Sequence, residues 1–219
     1  MINPNIALIH ATYAAISPVE LAFAQDWPQA NITSLLAEDL TREIAKTGTQ
    51  TDKIQNRISQ LALFAVQANV DGILYTCSAF AESIENARNN ISIPVLKPNE
   101  AMFEEAIELG GGTGMLVTFE AAIPSMTQEF KQMAVSMNKN MSLETHFVPG
   151  ALEALIAGNP EQHNDLLAQA AAKLPAYDTL MLAQFSMSQA LKDVESLTNA
   201  KVLTSPNSAI SKLKKLIFR

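Results

Sequence analysis

Short apolar runs alternate along the chain with longer stretches in which apolar side chains recur at helical spacing. That alternation predicts a parallel sheet covered by helices, an α/β fold. In the first half, residues 6–11, 32–36, 72–76 and 93–96 read as strands, and 18–25, 53–69 and 79–89 as helices. The segment 53–69 carries the strongest amphipathic pattern, because Ile54, Ile58, Leu61, Ala62 and Ala65 fall on one face. The second half repeats the order with helix 100–109, strand 115–118, helix 125–137, strand 143–148, helix 161–174, strand 179–183, helix 188–197 and strand 201–204, then a closing helix 209–218. Met126, Met133 and Met137 keep helical spacing and read as core filling. The glycines at 110–112 and 114 follow a helix and precede a strand. A phosphate cradle needs the opposite order, so they predict a helix cap and a tight turn.

The two halves also match residue by residue at one displacement. Residues 71–79, DGILYTCSA, lie over 178–186, DTLMLAQFS, at an offset of 107 positions. The same offset brings Ala14, Ala15 and Ile16 onto Ala121, Ala122 and Ile123, Phe23 onto Phe130, and Val95 and Leu96 onto Val202 and Leu203. Any two strand-helix units can be slid into partial register, but one offset serving separated segments favours two similar half-domains. The predicted division is 1–98 with 206–219 as the first half and 99–205 as the second, with crossings at Pro98-Asn99 and Ser205-Pro206-Asn207. The last helix then packs back on the first half.

Composition narrows the function classes. With 48% hydrophobic and 17% charged residues, the chain is expected to be folded and soluble. A formal charge of −7 without a Lys/Arg cluster argues against a nucleic-acid surface. The small basic group Lys212, Lys214, Lys215 and Arg219 reads as the dipole-matched end of the last helix. One cysteine allows no internal disulfide, and the start lacks the pattern of a signal peptide or a membrane span. The expected setting is the reducing cytoplasm, with no membrane partner. Three scattered histidines and one cysteine show no metal-ligand spacing. The acid pairs Glu38-Asp39 and Glu104-Glu105 read as solvated faces, and an apolar helix face left over in each half would suit a homodimer.

In parallel sheets ligands gather beyond the carboxyl ends of the strands, and here those exits are rich in hydroxyls. Cys77 lies where the strand 72–76 gives way to a helix. Backbone N–H groups at a helix start are expected to favour its thiolate and lower its pKa, suiting it to proton exchange near neutrality. The same N–H groups, with Ser78, can hold a carboxylate or an enolate oxygen. A lone cysteine at a strand end can equally be an inert small hydrophobe. His10 and His146 sit near strand ends and read as histidines satisfied by local hydrogen bonds, and His163 as solvent-facing or capping.

The exit Thr76-Cys77-Ser78-Ala79, the stretch Thr118-Phe119 with Ile123-Pro124-Ser125-Met126 and Glu129-Phe130, and the run from Val202 through Pro206 to Ala209 together resemble the aspartate/glutamate racemase superfamily. Hydantoin racemases, maleate isomerases and arylmalonate decarboxylases belong to the same group. The resemblance covers essentially the whole chain. It implies two flavodoxin-like parallel-sheet halves related by a pseudo-twofold axis, an active site in the cleft between them, and no cofactor. In racemases of this kind one cysteine from each half flanks the substrate carbon. Cys77 matches the first of these, and Gln184 stands where the second would be. A carboxamide has no proton equilibrium near pH 7 and cannot act as an acid or base.

Hydroxyls at Thr12, Ser78, Thr118 and Ser125, with backbone N–H groups, suit a small anionic carboxylate, and Ala79, Phe185 and Ser186 are expected beside them at the substrate. Amino-acid racemases of the group usually carry an acid at the first strand's exit to hold the ammonium. Ala11-Thr12-Tyr13-Ala14 offers none. Decarboxylases of the group also use one cysteine, though theirs lies in the second half. The expected function is therefore cofactor-independent proton movement at a carbon next to a carboxylate, with Cys77 as the acid/base. The rival of another class is a small-carboxylate binding protein that has lost half of the catalytic pair. A third reading makes Cys77 a covalent nucleophile.

Overall fold

The computed structural model describes residues 3–218. The chain forms two compact units. One comprises the chain through Ala101 together with the segment from Ala209 onward, and the other comprises Met102–Ser208.

The first unit is built from β1 (Asn5–His10), α1 (Ile16–Asp26), β2 (Asn31–Leu36), α2 (Asp39–Thr47), α3 (Asp52–Gln67), β3 (Gly72–Tyr75), α4 (Ala81–Arg88) and β4 (Val95–Leu96). Its parallel sheet has the order β2-β1-β3-β4, with Ile6 beside Ile32 and Gly72. The second unit follows the helix α5 (Glu100–Leu109), which contains the unit boundary, with β5 (Thr113–Val117), α6 (Ile123–Ser136), β6 (Leu143–Phe147), α7 (Ala151–Ile156), α8 (Pro160–Ala172), β7 (Thr179–Leu182), α9 (Leu191–Glu195) and β8 (Lys201–Thr204). Its parallel sheet runs β6-β5-β7-β8. The closing helix α10 (Ser205–Ile217) contains the other boundary.

The central strands β1, β3, β5 and β7 are buried almost throughout, as expected for strands covered on both faces. The first core gathers Ile9, Ile54, Ile58, Ile73 and Ile84, and the second Phe103, Leu116, Phe130, Leu167 and Met181. Ile54, Ile58, Ala62 and Ala65 of α3 are buried, so the amphipathic face read from the sequence is the packed one. Met126 is buried in the second core, with Met133 and Met137 packed against it.

The offset of 107 positions recurs in the elements. β3 and β7 coincide at both ends, and the short 3₁₀ turns Tyr13–Ala15 and Glu120–Ala122 do the same. It also recurs in hydrogen bonds. Asp71 Oδ2 accepts the Asn5 N–H at 2.8 Å, and Asp178 Oδ2 accepts the Gly112 N–H at 2.7 Å.

Several elements depart from the sequence reading. The run 93–96 pairs only at Val95–Leu96. The helices expected at 79–89 and 188–197 each open with a 3₁₀ turn, Ser78–Phe80 and Phe185–Ala190, before α4 and α9 begin. Helix α2 went unread because its sequence is mostly polar and it buries only Leu40. The Glu38-Asp39 pair lies on a solvated face, as read, and is ion-paired there. Asp39 accepts from both terminal nitrogens of Arg57 on α3, one at 3.2 Å, and Glu38 pairs with Arg42. Glu105, partly exposed, meets Lys201 at 2.9 Å and Ser208 at 2.8 Å. The basic residues of α10 are partly internal, with Lys212 on Glu100 at 2.9 Å and Lys214 over the Trp27 ring at 5.5 Å. Arg219 lies outside the described residues. At Gly72 the sheet comes so close to α10 that a Cβ would sit 3.2 Å from both Leu213 and Ile217. Among the described residues, no helix is long and apolar enough to cross a membrane.

The glycine cluster forms the expected cap and turn. After α5, Gly110 and Gly111 adopt φ of 72° and 79°, and a Cβ at Gly111 would run into the Asp178 carboxylate. Gly111→Ala is therefore expected to cost about 2 kcal/mol, part from the left-handed backbone and part from displacing Asp178 off the Gly112 N–H. Urea unfolding of the variant against wild type measures it.

Candidate functional site

The order β2-β1-β3-β4 makes the chain leave β1 to one side and return to β3 on the other, and in open parallel sheets ligands bind beyond the carboxyl ends of the strands at such a switch, here β1 and β3. The second sheet has the same switch between β5 and β7. Cys77 immediately follows Thr76 at the exit of β3, and Gln184 holds the equivalent place at the exit of β7; each precedes a 3₁₀ turn as its N-cap residue.

Cys77 is half-buried and packs against the first core. Burial pushes its thiol pKa up, and a hydrogen bond from the Ala79 N–H to the sulfur offsets only part of that. The expected lowering is thus reversed. A 3₁₀ turn of three residues follows the sulfur where a full α-helix was read, and α4 starts only at Ala81, so little macrodipole is aimed at it. The α4 terminus is engaged elsewhere: Gln50 Oε1 accepts the Ser83 N–H at 3.1 Å and the Ser83 hydroxyl at 2.5 Å. Ser78 is half-buried, while Ala79 and Thr12 are exposed. Thr12 caps the turn after β1 without a side-chain hydrogen bond to it.

Beside Cys77 runs a hydrogen-bonded line. His10 Nδ1 lies 2.9 Å from the Thr76 hydroxyl, His10 Nε2 lies 3.3 Å from the Ser34 hydroxyl, and Ser34 donates to Glu20 at 2.8 Å. Donor accounting fixes its polarity. The Glu20 carboxylate only accepts, so it takes the single Ser34 hydrogen, and Ser34 must then accept from Nε2–H. Nδ1 is left to accept from Thr76, which makes His10 a neutral Nε2–H tautomer. Burial drives its pKa from 6.5 down to about 4, with Glu20 opposing in part. The sequence singles out His10, but nothing in residue spacing points to Ser34 or Glu20, which converge only in the fold.

A pH dependence follows. Between about 4 and 6.5 the unfolded chain binds a proton that folded His10 refuses, so its contribution is full above 6.5 and is lost as pH falls toward 4. Allowing for solvent screening, wild type is expected to lose about 2 kcal/mol over that window from this group, and His10→Gln to lose correspondingly less. Urea unfolding at neutral and mildly acidic pH compares them.

At the second sheet, Gln184 Oε1 accepts the Thr118 N–H at 3.0 Å and the Thr118 hydroxyl at 3.2 Å. Its Nε2 is buried and finds no acceptor among the described residues. Phe119 follows Thr118 and is 53% exposed, whereas Phe185 and Ser186 are buried. The Ser125 hydroxyl is exposed and donates to Ala122 O at 3.0 Å.

The remaining histidines lie elsewhere. His146 bonds the Tyr177 hydroxyl at 2.7 Å, and that hydroxyl donates to Glu144 at 2.7 Å. His163, expected to face solvent or cap a helix, is fully buried. Asn159 already caps α8 by accepting the Gln162 N–H at 3.1 Å, and His163 lies one turn before Leu167 on the helix's packed face. No group of three or more His, Cys, Asp or Glu among the described residues could hold a metal ion.

No curated protein sequence matches the chain. Solved structures do, at identities that carry likeness of fold alone. Allantoin racemase from Klebsiella pneumoniae is 15% identical over 99% of this chain and 88% of its own, with a TM-score of 0.72. Glutamate racemase isoform RacE1 from Bacillus anthracis is 15% identical over 98% and 82%, at 0.71. Unliganded arylmalonate decarboxylase is 14% identical over 98% and 93%, at 0.70. Two four-stranded parallel sheets with flanking helices match the racemase fold in two halves. A family profile described as Asp/Glu/Hydantoin racemase matches residues 2–213, and the chain belongs to that family.

Proposed function

We propose that this protein moves a proton at a carbon next to a carboxylate, without a cofactor, using the Cys77 thiol as acid and base. The observation that carries the reading is the chain's only thiol at the switch point of a parallel sheet. Its raised pKa means that the resting group is a thiol, so the enzyme holds the proton that it delivers to an enolate-like carbon. In the reverse direction the thiolate left behind removes the same proton. Thr12 and Ser78 are the hydroxyls we assign to substrate oxygens, with Ala79 beside them; the Thr118 and Ser125 hydroxyls of the second unit already give their hydrogens to Gln184 and to Ala122 O. Gln184 has no proton to exchange, so a symmetric two-thiol racemisation is not part of this reading. A reducing compartment such as the cytoplasm would keep the lone thiol available.

The test is incubation with small mono- and dicarboxylates in heavy water, with deuterium at the α carbon read by NMR. Uptake catalysed by the intact protein is expected for at least one acid. Stabilisation by a carboxylate without any exchange would overturn the reading in favour of a binding protein.

A further inference from the structure

We propose that Gln184 binds the ligand as an orientation-locked hydrogen-bond donor, and that its partner is a carboxylate or carbonyl oxygen and never an ammonium group. This rests on the proposed function in taking the strand exits as the ligand site, but it assigns Gln184 a binding role in place of a proton-carrying one.

The argument begins with the amide's orientation. Oxygen and nitrogen of a carboxamide are told apart by their partners. A backbone N–H can only donate, so the atom 3.0 Å from Thr118 N is the amide oxygen. The Thr118 hydroxyl, at 3.2 Å from that oxygen, adds a second donor to it. Both contacts pin Oε1 to the exit of β5, and the NH₂ group is thereby turned away from Thr118. That nitrogen is buried and has no acceptor among the described residues. A buried donor left unmade is costly, which makes the site strongly selective for whatever supplies an oxygen. A carboxylate oxygen answers best, because a charge-assisted bond is stronger than a neutral one. An ammonium has no lone pair and would face N–H with N–H.

Gln184→Glu tests the donor with little change of shape. The introduced carboxyl still accepts from both Thr118 groups, while a second acceptor replaces the NH₂ donor. Malonate, succinate, acetate and phenylacetate serve as probes, with propane-1,3-diammonium as the cationic control. In wild type the Gln184 side-chain NH₂ resonances, assigned through coupling to their own backbone, are expected to move downfield with at least one carboxylate and to stay put with the diammonium. In Gln184→Glu the affinity of that carboxylate is expected to fall about tenfold to a hundredfold. An unmoved amide with all four acids, or undiminished affinity in the variant, overturns the proposal. The wild-type spectrum decides even where the variant folds poorly. Deuterium exchange on the same samples separates the two readings. A shifted amide without exchange keeps this binding role and removes the proton-transfer function; exchange beside an unmoved amide does the reverse.

Discussion

Cys77→Ser is expected to lower deuterium exchange at the substrate's α carbon by about a hundredfold to ten-thousandfold, the range for removing one positioned acid or base. A serine hydroxyl keeps the shape but is a far weaker acid, and neither Ser78 nor Thr76 can replace the sulfur; the Thr76 hydroxyl is buried against His10 Nδ1 and Ile9 O. The pH profile sharpens the test. Because burial holds the Cys77 pKa above its ordinary value of 9.0, the proton-donating direction should be level through neutrality and decline as pH rises through the folded-state pKa. That alkaline limb should be missing from whatever activity the variant retains. Undiminished exchange in Cys77→Ser would remove the thiol from the mechanism.

The largest effect on stability is expected at Glu100. This carboxylate, 7% exposed, accepts from Arg88 at 2.6 Å and Lys212 at 2.9 Å. Its burial alone would raise its pKa, but the two cations outweigh that and hold it below the usual range. Glu100→Gln keeps the volume and removes the charge that Lys212 and Arg88 share, Arg88 retaining Glu85. Breaking a buried pair from one side costs about 3 kcal/mol or more, because both cations lose the buried carboxylate on which they converge. Urea unfolding at pH 7 should register that loss; a change below about 0.5 kcal/mol, the scale of an exposed pair, would reject the network as a stabilising element. The sign in acid is also fixed. Glu100's contribution is present above its unfolded pKa and is lost as pH falls through the depressed folded value, so the gap between wild type and Glu100→Gln should narrow on acidification.

Strand positions and their parallel arrangement were legible because fully buried strands leave apolar runs. The offset of 107 positions was legible because both sheets keep those runs in one order. Polar α2 left no such trace, since the ion pair from Asp39 to Arg57 and the burial of Leu40 are decided by tertiary neighbours. At the site, Cys77 and Gln184 stood out by residue type and place, but the sign of the thiol's pKa did not. It depends on how much solvent the sulfur loses against how few N–H groups reach it, and a 3₁₀ turn is indistinguishable in sequence from the first turn of a helix. His163 misled for a related reason: a histidine near a helix start looks like a cap until Asn159 is seen to fill that role.

The aspartate ties at Asn5 and Gly112 have a consequence for how the chain can change. They join the amino edge of each sheet and are the same in both units, while positions 77 and 184, at the opposite edge, carry different residues. Folding constraints and the candidate reactive positions thus occupy separate ends of the same strands. Such a scaffold is evolvable: one rim can be rewritten toward new reactions while the other preserves the architecture.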